Sequence, residues 1–152
     1  MVPSWVVPAD DLVRQARRRA GAWWDSSGGE ARYGGIMHAL DWIAGVRGVS
    51  PVTESEEPAT SRLALVEVLA AEQALGRERR RAPGFGSGRS ALDDERQMER
   101  LGLGIRVAAA LAHAGEGRLR DADIRFLNGA LDTLRWLLGE TDRPPVALPT
   151  RD

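Results

Sequence analysis

The sequence contains no cysteine and no lysine, and only 5% of its residues are aromatic. Without cysteine the chain has no disulfide bond, no thiolate nucleophile and no thiolate metal ligand. This composition fits a reducing compartment, so we expect a cytoplasmic protein. All 21 basic residues are arginine, and alanine and glycine are abundant as well. These residues have GC-rich codons, which predicts a bacterial genome of high GC content.

The sequence also has no excess of positive or negative charge and no long apolar stretch. The formal net charge is −1, so no overall field attracts nucleic acid or an anionic membrane. Charged residues interrupt the longest apolar runs, so we expect no membrane-spanning helix and no membrane partner. The N-terminal residues have neither a basic region nor a long apolar core, so we expect no signal peptide. The length predicts a single domain over 1–152.

The clearest local pattern lies in segment 27–52, which predicts one helix with a defined start and end. Ser27 and Glu30 have the spacing of a capping box, in which each side chain accepts the backbone N–H of the other residue. Gly45 and Pro51 are typical of a helix end. Apolar residues recur on two opposite faces of this helix. A helix that is apolar on two sides is usually buried on both, so we expect it in the middle of the fold.

Part of this pattern returns near the C-terminus, where segment 129–146 matches segment 35–52 without a gap. Gly35 and Trp42 correspond to Gly129 and Trp136, and in each segment the spacing places Gly and Trp on one helix face. One interpretation is a duplicated helical unit. The other is a pair of unrelated amphipathic helices with similar ends, and the sequence leaves both open.

Periodicity and capping residues predict further helices on both sides of this segment. They cover 10–24, 55–79, 90–113 and 121–138. Outside the helices we expect an apolar arm over 1–8, a Gly-rich linker over 82–89 and a Pro-rich extended tail over 140–152. The sequence therefore predicts an all-α protein, a compact bundle of about five helices with a possible internal repeat.

The Gly-rich segment 82–89 is similar in outline to a phosphate-binding P-loop, but it departs from that pattern. Pro83 stands in place of the first glycine, Arg89 stands in place of the lysine, and a predicted helix precedes the segment instead of a strand. Acidic residues follow it directly and would repel an anion. We therefore interpret it as a linker.

Few residues have the character of a catalytic or metal site. His38 and Asp41 are three residues apart on the central helix, and Glu72 falls within the apolar stripe of the predicted helix over 55–79. A small-ligand or enzymatic site would require these three side chains to meet in one pocket. A closed metal site needs more ligands than this pair of helices supplies. We therefore expect no catalytic residues, no cofactor and no metal, and interpret Glu72 as the partner of an arginine on a neighbouring helix.

The distribution of aromatic residues indicates a protein that binds other proteins, including a second copy of itself. Several aromatic side chains lie off the main apolar stripes or in the terminal arms, and aromatic residues are common interface anchors. The interface candidates are Trp5, Trp42, Trp136 and Phe126. The alternative is that all of these side chains belong to the core.

Two clusters of arginine suggest nucleic acid as an alternative partner, since guanidinium groups bind phosphates. The clusters consist of Arg14, Arg17, Arg18 and Arg19 and of Arg77, Arg79, Arg80 and Arg81. This function would require both clusters to converge on one face of the protein. The affinity for nucleic acid would then fall steeply as the salt concentration rises. The other interpretation is that they are solvated faces of two helices.

Overall fold

A computed structural model describes residues 2–80 and 119–148, with the side chains of 77–80 excepted. Within these residues it contains four α-helices and no β-strand, which confirms the all-α prediction. The helices are α1 (Asp10–Ser26), α2 (Ala31–Ile43), α3 (Ser61–Arg80) and α4 (Asp121–Leu137). The predicted helix over 90–113 and the predicted linker over 82–89 lie outside the described residues.

The turn between α1 and α2 begins later in the structure than the sequence predicted. α1 continues to Ser26, and Gly28 and Gly29 have φ of +72° and +90°, which no helix accommodates. α2 therefore starts at Ala31 and not at Ser27. One half of the predicted capping box is present, because the Glu30 N–H donates to Ser27 Oγ at 3.1 Å. This bond closes the turn before the helix begins.

The start of α3 is also displaced. The sequence predicted a start at Ser55, but Thr60 caps the helix, and its Oγ1 accepts the Leu63 N–H at 3.1 Å. The residues before Thr60 instead lie against α2, where the Glu57 carbonyl accepts the Trp42 indole N–H at 3.4 Å. Val68 and Leu75 of α3 are buried in the core, whereas Leu65 on the same helix is 44% exposed.

Glu67 on α3 is the one buried carboxylate among the described residues, with 1% of its surface exposed. Its two oxygens accept the backbone N–H groups of Val52 and Thr53 at 3.0 to 3.2 Å. Ser50 closes the same loop, because its Oγ accepts the Ser55 N–H at 2.8 Å. Glu67 therefore fixes the connection between α2 and α3 by accepting N–H groups that burial would otherwise leave unpaired.

The central contact of the fold is the crossing of α2 and α4, which pack on each other more extensively than any other pair of described helices. A Cβ at Gly35 would overlap the Phe126 carbonyl oxygen on α4, and a Cβ at Gly129 would overlap the Arg32 carbonyl oxygen on α2. Each glycine thus faces the carbonyl three residues before the other glycine. The two helices approach so closely because neither has a side chain at the crossing point.

α2 and α4 also end in the same way. Gly45 and Gly139 have φ of +77° and +79°, as the sequence predicted for a helix end at Gly45. The Gly45 N–H donates to the Trp42 carbonyl and the Gly139 N–H to the Trp136 carbonyl, both at 3.1 Å. The resemblance between segments 35–52 and 129–146 therefore extends to backbone conformation.

The residues near the two ends of the chain pack on this crossing. In the N-terminal arm, Val2, Trp5 and Val6 lie against the core, and the Val7 N–H donates to the Leu137 carbonyl at 2.9 Å. After α4, Pro145 and Val146 are buried. The arm and the first part of the tail cover apolar surface of the bundle.

Among the described residues, three ion pairs connect the helices. Arg17 on α1 binds Asp41 on α2 at 2.7 Å, and Arg32 on α2 binds Asp132 on α4 at 2.9 Å. Glu72 on α3 binds Arg135 on α4. The last pair agrees with the interpretation of Glu72 as the partner of an arginine on a neighbouring helix.

Candidate interaction surfaces

The structure buries two of the four predicted interface residues. Trp42 is 2% exposed and Trp136 is 4% exposed, and both belong to the core around the α2–α4 crossing. Their position off the main apolar stripes reflects a second layer of packing and not an exposed surface. We predicted these two residues as interface anchors because they lie off the main apolar stripes, and their burial in the core accounts for that position without an interface.

The other two predicted interface residues are half-buried. The Phe126 ring meets the His38 ring edge to face, with centroids 5.8 Å apart. Trp5 packs on the core from the N-terminal arm, and its buried indole N–H has no acceptor among the described residues. Such a group costs about 1–3 kcal/mol, so Trp5 is held by apolar contact and not by hydrogen bonding.

An aromatic surface that the sequence did not indicate lies at the turn between α1 and α2. Trp23 on α1 is 49% exposed. Its ring stacks on Tyr33 of α2, with centroids 6.1 Å apart and planes inclined by 13°. We call the pair Trp23 and Tyr33 the turn patch.

Trp24, the residue after Trp23, packs on the glycines of the turn and of α2. The Trp24 ring lies against Gly29 and Gly34, where an added Cβ would come within 3.3 and 2.9 Å of it. The Gly29 N–H donates to the Trp24 carbonyl at 2.9 Å, which ties the turn to the end of α1. The exposed aromatic pair is therefore held on a rigid turn.

Charges of opposite sign stand on either side of the turn patch. Arg19 is exposed and lies one helical turn before Trp23 on the same face of α1. Glu30 precedes Tyr33 by three residues, and its carboxylate lies 3.7 Å from the Arg125 guanidinium. The patch thus has a positive end along α1 and, at the turn, a carboxylate whose charge the Arg125 guanidinium partly balances.

The first predicted arginine cluster is divided between paired and exposed side chains. Arg14 binds Asp10 at 3.1 Å and Arg17 binds Asp41, whereas Arg18 and Arg19 are exposed. Arg77, Arg79 and Arg80 of the second cluster end α3 with side chains outside the described part, and Arg81 follows them beyond it. Convergence of the two clusters therefore stays a prediction.

His38, Asp41 and Glu72 bind three different partners. His38 Nε2 lies 3.0 Å from the Val49 carbonyl oxygen, Asp41 binds Arg17, and Glu72 binds Arg135. Burial lowers the pKa of His38 from its ordinary value of 6.5, so the ring is neutral and donates from Nε2 near neutral pH. These contacts hold the helices and the loop after α2 in place.

A polar cleft of about 430 Å³ opens where the tail folds back on α4. Three arginines and two aspartates line it together with residues of the tail: Arg32, Asp132, Arg135, Thr141, Asp142, Arg143, Pro144 and Pro145. Arg32 also donates to the Pro145 carbonyl at 3.1 Å. Because acidic partners balance two of the guanidinium groups, the cleft has no marked preference for anions.

Within residues 2–80 and 119–148, no group of three or more acidic or histidine side chains has the arrangement of a metal site. In the same residues, no helix has the length and apolar character needed to cross a bilayer. Comparison with protein-family models, curated proteins and solved structures finds no match to this chain.

Proposed function

We propose that this chain is a non-enzymatic helical protein that acts by binding other proteins, and that it associates with a second copy of itself through the turn patch. The half-exposed Trp23, stacked on Tyr33, is the observation that carries the proposal. Aromatic side chains that are rigid before binding lose little conformational entropy on association, so they anchor interfaces well.

Charge complementarity favours a second copy as the occupant. In a two-fold dimer the same patch meets itself, so a residue at one end of the patch on one copy faces the residue at the opposite end on the other copy. A two-fold axis through the turn patch would bring Arg19 of one copy to Glu30 of the other, because these charges stand at opposite ends of the aromatic pair. The low net charge of −1 opposes this association only weakly.

Light scattering over a range of protein concentrations tests this proposal. We expect a dimer that Trp23→Ser weakens at least tenfold in its dissociation constant, since removing a central aromatic anchor costs 2 kcal/mol or more, about 30-fold. Leu65→Ser removes an exposed apolar side chain from α3 and is the matched control, with no expected effect. A monomer at all concentrations, or a dimer that Trp23→Ser leaves intact, contradicts the proposal.

A charge reversal identifies the two-fold arrangement itself. Arg19→Glu alone places two carboxylates in contact across the axis and weakens the dimer. Arg19→Glu together with Glu30→Arg and Arg125→Glu restores opposite charges across the axis, keeps an ion pair at the turn, and is expected to recover most of the lost affinity. No recovery in this triple variant rules out the orientation.

The second candidate function is nucleic-acid binding through α1. Arg18 and Arg19 are exposed there, beside an open cleft that Asp11, Arg14, Arg17 and Arg18 line. Asp10 and Asp41 offset part of this charge, which favours the protein-binding proposal. The same scattering peak distinguishes the two, because bound nucleic acid raises the 260/280 nm absorbance ratio at low salt and is lost at high salt.

We also infer that segments 35–52 and 129–146 are two copies of one helical unit. The reciprocal glycine crossing and the matching helix ends support this. The absence of cysteine supports a cytoplasmic location, and the arginine-only basic composition supports a bacterial source of high GC content.

A further inference from the structure

The C-terminal ends of α2 and α4 present the same backbone to their surroundings. The Val46 N–H donates to the Asp41 carbonyl at 2.8 Å, and the Glu140 N–H donates to the Arg135 carbonyl at 2.9 Å. Together with the two positive-φ glycines, these bonds give both helices one type of C-terminal cap. A segment that binds the C-terminal end of α4 through backbone contacts therefore finds the same backbone conformation at the C-terminal end of α2.

At α4 this end is covered by the N-terminal arm. The Val7 N–H donates to the Leu137 carbonyl at 2.9 Å. The Val7 side chain lies over Gly139, with Cγ2 2.8 Å from the place where a Cβ would stand. The arm that makes this contact is uncharged over residues 2–8 and contains a proline at positions 3 and 8. The Val6 N–H donates to the Pro3 carbonyl at 3.1 Å, so the arm turns at Ser4 and Trp5, and Val7, which is 66% exposed, contacts the end of α4 after this turn.

At α2 the equivalent place is open. No described atom lies within 4 Å of a Cβ built at Gly45, and Val46 beside it is 74% exposed. Ile43 corresponds to Leu137, and no described backbone N–H outside the helix donates to its carbonyl. The end of α2 thus has the backbone of the arm-binding end of α4 but has no arm.

We propose that the end of α2, residues 43–46, is a docking site for a short, uncharged apolar segment of a partner protein. The segment has the chemistry of this chain's own arm: it is uncharged, a proline flanks it, and a β-branched residue donates its N–H to the Ile43 carbonyl. The β-branched side chain covers Gly45 as Val7 covers Gly139. The exposed Val46 supplies apolar surface beside it.

The probe is a synthetic, N-acetylated peptide with the sequence of residues 2–9, titrated into the ¹⁵N-labelled full-length chain. We expect amide shifts at residues 44–46 and none at residues 138–140, because the chain's own arm occupies that end. Gly45→Asn keeps the left-handed backbone, which asparagine tolerates, and fills the open place, so binding weakens at least tenfold. Gly48→Asn makes the same change where the space is also open and is expected to bind as the wild type does.

Three results overturn the proposal. In the first, the peptide shifts no amide at residues 44–46, or the shifts persist in Gly45→Asn. In the second, the shifts appear only at residues 138–140, so the peptide merely replaces the arm. In the third, the unmixed chain gives the same shifts on concentration, so the occupant is the arm of a second copy. Trp23→Ser separates this site from the turn patch, because it disrupts the dimer and leaves peptide binding unchanged.

Discussion

At the scale of single residues, the fold depends on two glycines that have no room for a side chain. Gly35 and Gly129 each face a backbone carbonyl of the other helix, and a helix backbone cannot move aside as the end of a flexible side chain can. We predict that Gly35→Ala and Gly129→Ala each lower the free energy of unfolding by about 3 kcal/mol, as overpacking at a close helix contact does. Chemical denaturation measures both values.

The control for these variants is Gly48→Ala, because no described atom lies within 4 Å of a Cβ at Gly48. It is expected to change the free energy of unfolding by less than about 0.5 kcal/mol. The reciprocal geometry also predicts similar losses for Gly35→Ala and Gly129→Ala. A large loss at one glycine and none at the other would show that the crossing is not reciprocal.

His38 makes the stability of the fold depend on pH. Burial lowers its pKa and Arg47 lowers it further, although the Val49 carbonyl, Asp41 and Glu67 favour the charged ring. The unfolded chain therefore binds a proton at a higher pH than the folded chain does. The stabilisation is complete above the ordinary pKa of 6.5 and is lost as the pH falls through that value toward the lower folded pKa.

We predict that the wild type is less stable at about pH 5.5 than at about pH 7.5, and that His38→Gln reduces this difference. Urea unfolding at both pH values measures it. His113 is the other histidine of the chain, and His113→Gln is the control that retains the pH dependence. A pH dependence that disappears in His113→Gln but survives in His38→Gln would show that His113, and not His38, causes it.

At the scale of elements, the connection between α2 and α3 is ordered by a side chain of the helix that follows it. Glu67 accepts the Val52 and Thr53 N–H groups from a fully buried position. Glu67→Gln replaces one acceptor oxygen with an NH₂ group, which cannot accept these bonds. We predict a loss of about 1–3 kcal/mol in the free energy of unfolding, with faster hydrogen exchange at the Val52 and Thr53 amides.

Glu56→Gln is the matched control, because Glu56 is an exposed carboxylate in the same connection. It is expected to leave both the stability and the exchange rates close to those of the wild type. Equal effects of the two substitutions would mean that the negative charge of the connection matters and that the specific bonds of Glu67 do not.

The sequence predicted the helix ends of this fold better than the helix starts. Gly45 and Gly139 mark the ends of α2 and α4 because a left-handed residue is a local requirement. The starts of α2 and α3 were misplaced. Ser27 and Ser55 have the sequence pattern of capping residues, but the chain forms a turn or loop after each of them before the helix begins. A capping pattern indicates that a turn of backbone is hydrogen-bonded but does not say whether a helix follows it.

The candidate surfaces were harder to predict than the helices. Trp42 and Trp136 lie off the main stripes of their helices, yet the α2–α4 crossing buries them, and this contact joins residues far apart in the chain. Trp23 has the spacing of a core residue, but the tight turn after α1 leaves it stacked on Tyr33 at the surface. In both cases tertiary packing decides exposure, and helical periodicity does not encode it.

At the scale of the whole molecule, the described helices form two layers about the α2–α4 crossing. α1 packs on α2, α3 packs on α4, and apolar residues of segments 2–6 and 146–148 pack against the same core. This arrangement leaves the turn patch and the end of α2 on the outside. The two surfaces that we propose for partners are therefore separate from the crossing, and one substitution at each is expected to remove it without disturbing the crossing.

The ion pairs of α1 and α3 favour one placement of these two helices on the central pair over the other. Asp41 and Arg135 occupy equivalent positions in the two similar segments but carry opposite charges. Arg17 on α1 binds Asp41, and Glu72 on α3 binds Arg135. If the outer helices exchanged places, Arg17 would meet Arg135 and Glu72 would meet Asp41, so both contacts would be repulsive. The opposite charges of Asp41 and Arg135 therefore favour the observed placement of α1 on α2 and of α3 on α4 over the exchanged one.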